Sequence, residues 1–132
     1  MNEHSFIKSV HRALDSQVYA WKTNVRFNNG IPDAWYSGPA GDVWVEYKWL
    51  PKTPTRHFTP SLSALQRKWL NDRHQEGRTV AVIVGCPDGA VILENGAWNH
   101  QVNCRGLQWT KRCDVAKWIE ATTLSSSTAV AD

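Results

Sequence analysis

Twenty residues decide how this chain is read: GIPDAWYSGPAGDVWVEYKW, running from Gly30 to Trp49. Pro32 forbids a helix through Ile31, so residues 33–37 are expected to be extended. Ser37–Gly41 is a Gly/Pro loop. Asp42–Trp49 then alternates as a strand, with Val43, Val45 and Tyr47 on one face and Trp44, Glu46 and Lys48 on the other. Glu46 and Lys48 leave the same face about 6.6 Å apart along the strand. Asp33 opens the preceding strand, which lets its carboxylate meet Glu46 across the pair. Singly, these are a turn aspartate and the charges of an exposed strand. Together, two carboxylates and an ammonium at a strand edge suit a hard, oxygen-preferring cation beside a phosphate.

The flanking segments fill in an α/β order. Residues 3–20 carry Phe6, Val10, Ala13, Leu14, Gln17 and Val18 at helical spacing, with Asn2 or Ser5 as cap. Trp21–Phe27 alternates like a strand, and Asn28-Asn29-Gly30 marks a turn. Pro51–Pro60 reads as an irregular loop. Ser63-x-x-Gln66 is a capping box opening a helix to about Gln75, with Leu62, Leu65 and Trp69 on its buried stripe and Gly77 as its stop. Thr79–Gly85 is a β-branched run suited to a buried strand. Ala90–Leu93 and Trp98–Val102 are expected to pair as a hairpin around Asn95-Gly96. Residues 112–123 close the chain as a helix, and 125–132 read as a frayed tail. One α/β domain over residues 1–124 is the result, an αβββαβ core with a further hairpin and helix.

Composition narrows the classes. The chain has 132 residues, 42% of them apolar and 20% charged, which fits a globular domain and argues against wholesale disorder. No apolar run is long enough to cross a membrane, and the first fifteen residues lack a signal-peptide core, so a cytoplasmic, intracellular protein is expected. Cys86, Cys104 and Cys113 cannot all pair, and no CxxC or HxxxH spacing supports a zinc site with His74 or His100. Cys104 and Cys113 are expected in or near the core. Eight tryptophans are many for this length and could include an apolar interface. The net charge of +3 is unevenly spread: residues 48–78 hold seven basic side chains against two acidic ones. Lys52, Arg56, Arg67, Lys68 and Arg73 within that strip are candidate phosphate contacts, Lys52 and Arg56 lying with His57 in the Pro/Thr loop. A solvated helix face would look similar.

The motifs together resemble a family. Gly30-Ile31-Pro32-Asp33 with Glu46-Tyr47-Lys48 is similar to the PD-(D/E)xK nuclease superfamily. Adding Leu62-Ser63-Ala64-Leu65-Gln66, Gly77 and the strand Val80–Val84, the chain resembles the virus-type replication-repair nuclease (VRR-NUC) branch over roughly residues 1–85. The last third is not covered. The resemblance implies a restriction-endonuclease-like fold with a mixed central sheet flanked by helices. It implies a Mg²⁺-dependent endodeoxyribonuclease, with Mn²⁺ as substitute. Asp33 and Glu46 would be metal ligands, joined by the Tyr47 carbonyl and by Glu3 on the first helix; Lys48 would be the catalytic lysine and Gln66 the glutamine beside it. Glu3 alone would equally be a helix-start carboxylate, and Gln66 is already explained as a cap. Small stand-alone members of this branch are phage-type homodimers that resolve four-way (Holliday) junctions, which implies branched DNA as partner and a host cytoplasm as location. Flap or single-strand nicking, restriction-type cutting, a non-catalytic nucleic-acid-binding module and a virion protein are the alternatives; only the catalytic readings need Asp33, Glu46 and Lys48 placed together.

Overall fold

The structure, a computed structural model, describes residues 1–23 and 30–125. Parts of two expected features, the strand to Phe27 and the turn at Asn28-Asn29-Gly30, lie outside the described residues, as does the tail beyond 125. Helix α1 (Glu3–Ala13) is followed by strands β1 (Tyr19–Lys22), β2 (Ala34–Gly38), β3 (Gly41–Trp49) and the short β4 (His57–Phe58). Helix α2 (Ala64–Gln75), strands β5 (Val80–Cys86) and β6 (Gly89–Glu94), a 3₁₀ turn (Ala97–Asn99), the short β7 (Val102–Asn103) and helix α3 (Arg112–Thr123) complete the order.

Five strands form one mixed sheet in the order β1-β2-β3-β5-β6. Only β3 and β5 run parallel, because α2 carries the chain over the sheet between them. β5 is buried along its whole length, which is why its sequence is a continuous apolar run. The alternation read for β3 holds. Val43, Val45 and Tyr47 point into a core with Phe6, Ile7 and Val10 of α1 and Val115, Ala116 and Ile119 of α3. The opposite sheet face packs Val80, Val82, Val84 and Leu93 against Leu70 of α2 and Trp98. Across this second face runs an aromatic row, Tyr19–Trp35–Trp44–Trp69, with the Arg73 guanidinium 5.5 Å over Trp69.

Several expectations are corrected. α1 ends at Ala13, not at residue 20, because Asp15 turns the chain: its Oδ1 accepts from Gln17 N at 2.8 Å, and its own N–H donates to Glu120 of α3. Asn2 and Ser5 are both caps, each holding the other's backbone. The buried residue of α2 is Leu70, while Leu65 is 50% exposed. The expected hairpin partner of Ala90–Leu93 is wrong as well. β6 pairs with β5 across Pro87-Asp88, and Asn95 and Gly96, both at positive φ, lead into the 3₁₀ turn instead. Burying Trp98 completely, with its Nε1–H on Asn71 Oδ1 at 2.9 Å, outweighs extending a strand. Residues 51–60 are irregular except for His57-Phe58, which pairs with β7. Cys104 is buried but Cys113 is exposed, outside the α3 stripe of Val115, Ala116 and Ile119. Among the described residues no helix is long and apolar enough to cross a membrane.

Candidate active site

The register of the first hairpin builds the site. Ala34 faces Val45 across β2 and β3, so Asp33, one residue earlier, comes level with Glu46. Asp33 is fixed there from both sides. Its Oδ2 accepts the Tyr47 N–H at 2.9 Å, while its carbonyl accepts Thr23 N–H at 2.9 Å. The Thr23 hydroxyl donates to the Pro32 carbonyl at 2.8 Å. Glu46 and Lys48 leave the same face of β3, as the two-residue spacing requires, and Lys48 Nζ lies 3.3 Å from Glu46 Oε2.

Gln66 closes the group from above. Its amide nitrogen donates to Glu46 Oε2 at 3.0 Å, and its Oε1 accepts from Lys48 Nζ at 3.3 Å. The same Oε1 accepts Ser63 N–H at 3.0 Å, while Ser63 Oγ accepts Gln66 N–H at 3.1 Å. One glutamine therefore serves as helix cap and as partner to Glu46 and Lys48, using both ends of its amide. Gly30 brings the helix this close. At φ +84° it sits where a Cβ would lie 2.4 Å from the Leu65 carbonyl oxygen, so only glycine lets the Gly-Ile-Pro-Asp turn lie against the first turn of α2.

The electrostatics show a cluster short of positive charge. Glu46 is 3% exposed, and burial, reinforced by the Asp33 charge, pushes its carboxyl up to about 8 despite the lysine beside it. Burial also raises Asp33, against the opposing pull of the Tyr47 N–H and of Lys48. Glu3 is raised by burial and by Asp33, with Lys48 and Lys22 acting the other way. The third carboxylate thus feels the same cluster from α1. Among the described residues no three His, Cys, Asp or Glu side chains are grouped closely enough to hold a metal ion unaided. Two all-oxygen carboxylates remain, a donor set that fits a hard divalent cation completing its shell with water and substrate phosphate.

The rest of the expected set is dispersed. Arg67 Nη1 donates to Asn99 Oδ1 at 3.2 Å, on the side of α2 facing the 3₁₀ turn. Lys68 is exposed and paired with Asp72 at 2.8 Å, and Arg73 binds Glu76 at 2.9 Å while covering Trp69. Lys52 and Arg56 are exposed in the β3–α2 connection. Sequence reasoning missed Lys22, whose charge reaches Glu3 and Asp33 and whose Nζ lies 2.8 Å from His4 Nδ1. It also missed Thr23. Lys22 ends β1, a strand whose alternation was legible but whose partner was not, and Thr23 directly follows it.

No protein-family model and no curated protein matches this chain. Among solved structures it is similar to Hjc, a Holliday junction resolvase from the archaeal hyperthermophile Archaeoglobus fulgidus, at 15% identity and a TM-score of 0.54, covering 89% of this chain and 97% of that one. The two share a fold. It is the restriction-endonuclease-like arrangement, a five-stranded mixed sheet with α1 and α3 on one face and α2 on the other.

Proposed function

We propose that this chain is a metal-dependent endodeoxyribonuclease of the PD-(D/E)xK type that cuts branched DNA, four-way junctions first among its substrates. One observation carries the reading: Asp33, Glu46, Lys48 and Gln66, drawn from three elements, close into one hydrogen-bonded group on a partly open sheet face. A purely structural strand gains nothing by burying Glu46 beside the half-buried Asp33 carboxylate at such electrostatic cost. The narrower assignment to the virus-type replication-repair branch rests on the order G-x-P-D, E-x-K, L-S-x-x-Q. Branched DNA as substrate draws on the fold shared with the archaeal resolvase.

Asp33 and Glu46 would hold Mg²⁺ or Mn²⁺, with the Tyr47 carbonyl and Glu3 as further oxygens. When bound, the cation supplies Lewis-acid charge against the phosphodiester and makes a nearby water more acidic. The chain's own part is positioning. Lys48, gripped by Glu46 and Gln66, presents an ammonium where charge develops on the phosphate. Gln66 fixes the orientation of both partners. Because Glu46 holds its proton to near neutral pH, cation uptake releases a proton and tightens as pH rises. Two copies related by a two-fold axis would each nick one of two equivalent strands. Exposed Tyr19 and Trp21, beside Trp35 on the α2 side of the sheet, supply apolar surface for that contact.

The test is cleavage of labelled four-way, flap, single-stranded and linear DNA with Mg²⁺, Mn²⁺, Ca²⁺ or chelator. Junction cutting in Mg²⁺ and Mn²⁺ only is expected, with loss of cutting but not of binding in Asp33→Asn. Undiminished cutting in excess chelator overturns the reading.

A further inference from the structure

A second site lies away from the carboxylates, on the small sheet that joins the two halves of the chain. β4 and β7 pair antiparallel, His57 with Asn103 and Phe58 with Val102. Cys104 N–H extends the pairing to the Arg56 carbonyl at 2.8 Å. Phe58 and Val102 turn inward onto the second core, with Leu70 and Trp98. By strand alternation their neighbours turn outward. Arg56, His57, Gln101, Asn103 and Arg105 line an open cleft of about 330 Å³.

The lining has no acidic member. Neither Arg56 nor Arg105 takes part in any ion pair among the described residues. Residues almost fifty positions apart in sequence have thus been folded together with the same charge and no carboxylate in the lining they share. The polar partners are already arranged: Gln101 Nε2 lies 3.1 Å from His57 Nδ1, and Asn103 Oδ1 holds the Arg105 N–H at 3.0 Å. Two exposed guanidiniums beside an imidazole and two amides form a donor-rich surface made for phosphate oxygens. The cleft is open and all five lining side chains are exposed, which suits a polymer lying across it and not a small anion enclosed within it. It shares the α2 side of the sheet with Glu46 and Lys48, and β4 lies between Lys48 and Gln66 in sequence.

We propose that the β4–β7 cleft binds the phosphodiester backbone of a DNA arm, with Arg56 and Arg105 as its principal contacts. The inference rests on the nuclease reading for the identity of the polymer, but not on the chemistry at Glu46. Arg105 belongs to the third of the chain that no motif reached.

The experiment is binding of a fluorescent four-way junction in chelator, from about 50 to 200 mM salt. Arg105→Ala should lower the log-affinity versus log-salt slope by about one and weaken binding about eightfold at 0.1 M salt, the value of one phosphate contact. Arg105→Lys should restore most of the slope, since the charge returns. Lys117→Ala, on α3 and paired with Asp114, should match wild type in slope. Equal slope and affinity in Arg105→Ala and wild type overturn the cleft while leaving the nuclease reading intact. The expected Arg105 effect in a protein that never cuts DNA with Mg²⁺ supports the cleft and overturns the nuclease reading instead.

Discussion

Strand β3 presents two surfaces built on opposite rules. Toward α1 and α3 it offers Val43, Val45 and Tyr47, all fully buried among apolar neighbours. Even the polar atoms there form a closed chain, with Tyr47 Oη 2.6 Å from Tyr36 Oη and Tyr36 Oη 2.6 Å from His11 Nε2. Toward α2 the same strand offers Trp44, Glu46 and Lys48, where a buried carboxylate is held against its electrostatic preference. One face minimises free energy. The other spends stability to keep charge in place, as the proposed nuclease site requires.

The sharpest way to break that contrast is at Lys48. Lys48→Ala should cost turnover about a hundredfold or more, the loss seen when one preorganised donor is removed, with the melting temperature nearly unmoved. Lys48→Arg should not restore the rate, because a planar fork does not fit between Glu46 and Gln66 as an ammonium does. Cleavage assays and thermal melts on the same preparations decide it. A variant that loses stability and keeps activity would make this face an ordinary core.

Glu46→Gln should abolish cutting yet stabilise the metal-free protein at alkaline pH. The sign follows from linkage: between 4.5 and about 8 the folded state holds a proton that the unfolded state has released, so native stability falls as pH rises through that window. Wild type should therefore lose melting temperature steadily across it relative to the glutamine variant. Parallel melting curves from pH 5 to 8.5 would sink the idea.

On the other face the signs reverse. Val45→Ala should cost about 2 kcal/mol in urea unfolding and leave kcat within about twofold, since it opens a cavity between α1 and α3 and touches no charge. The smallest effect belongs to His11. Burial, with Lys22 adding to it, holds its imidazole below the usual range, so stability is lost as pH falls below about 6.5. His11→Gln should remove that acid sensitivity, visible as a flatter melting temperature between pH 5 and 6.5.

What the sequence disclosed follows the range of the interactions involved. Alternation in β3, the capping box at Ser63 and Gln66, and the level pairing of Asp33 with Glu46 are local, and all are present. The end of α1 was misplaced because Asp15's side-chain turn and its contact with Glu120 compete with helical periodicity, and the second lies over a hundred residues away. Trp98 was read as strand because its burial depends on Asn71 of α2. The basic strip looked continuous in sequence, yet α2 sends Arg67 and Arg73 to different sides, and the side chain that joins Arg56 is Arg105.

The double use of the Gln66 amide makes one local event of two. Fraying the first turn of α2 withdraws the donor from Glu46 and the acceptor from Lys48 in the same motion, so helix opening and dismantling of the carboxylate group share one free energy. Amide hydrogen exchange at Ser63 and Gln66 then becomes a gauge of how often the site is assembled.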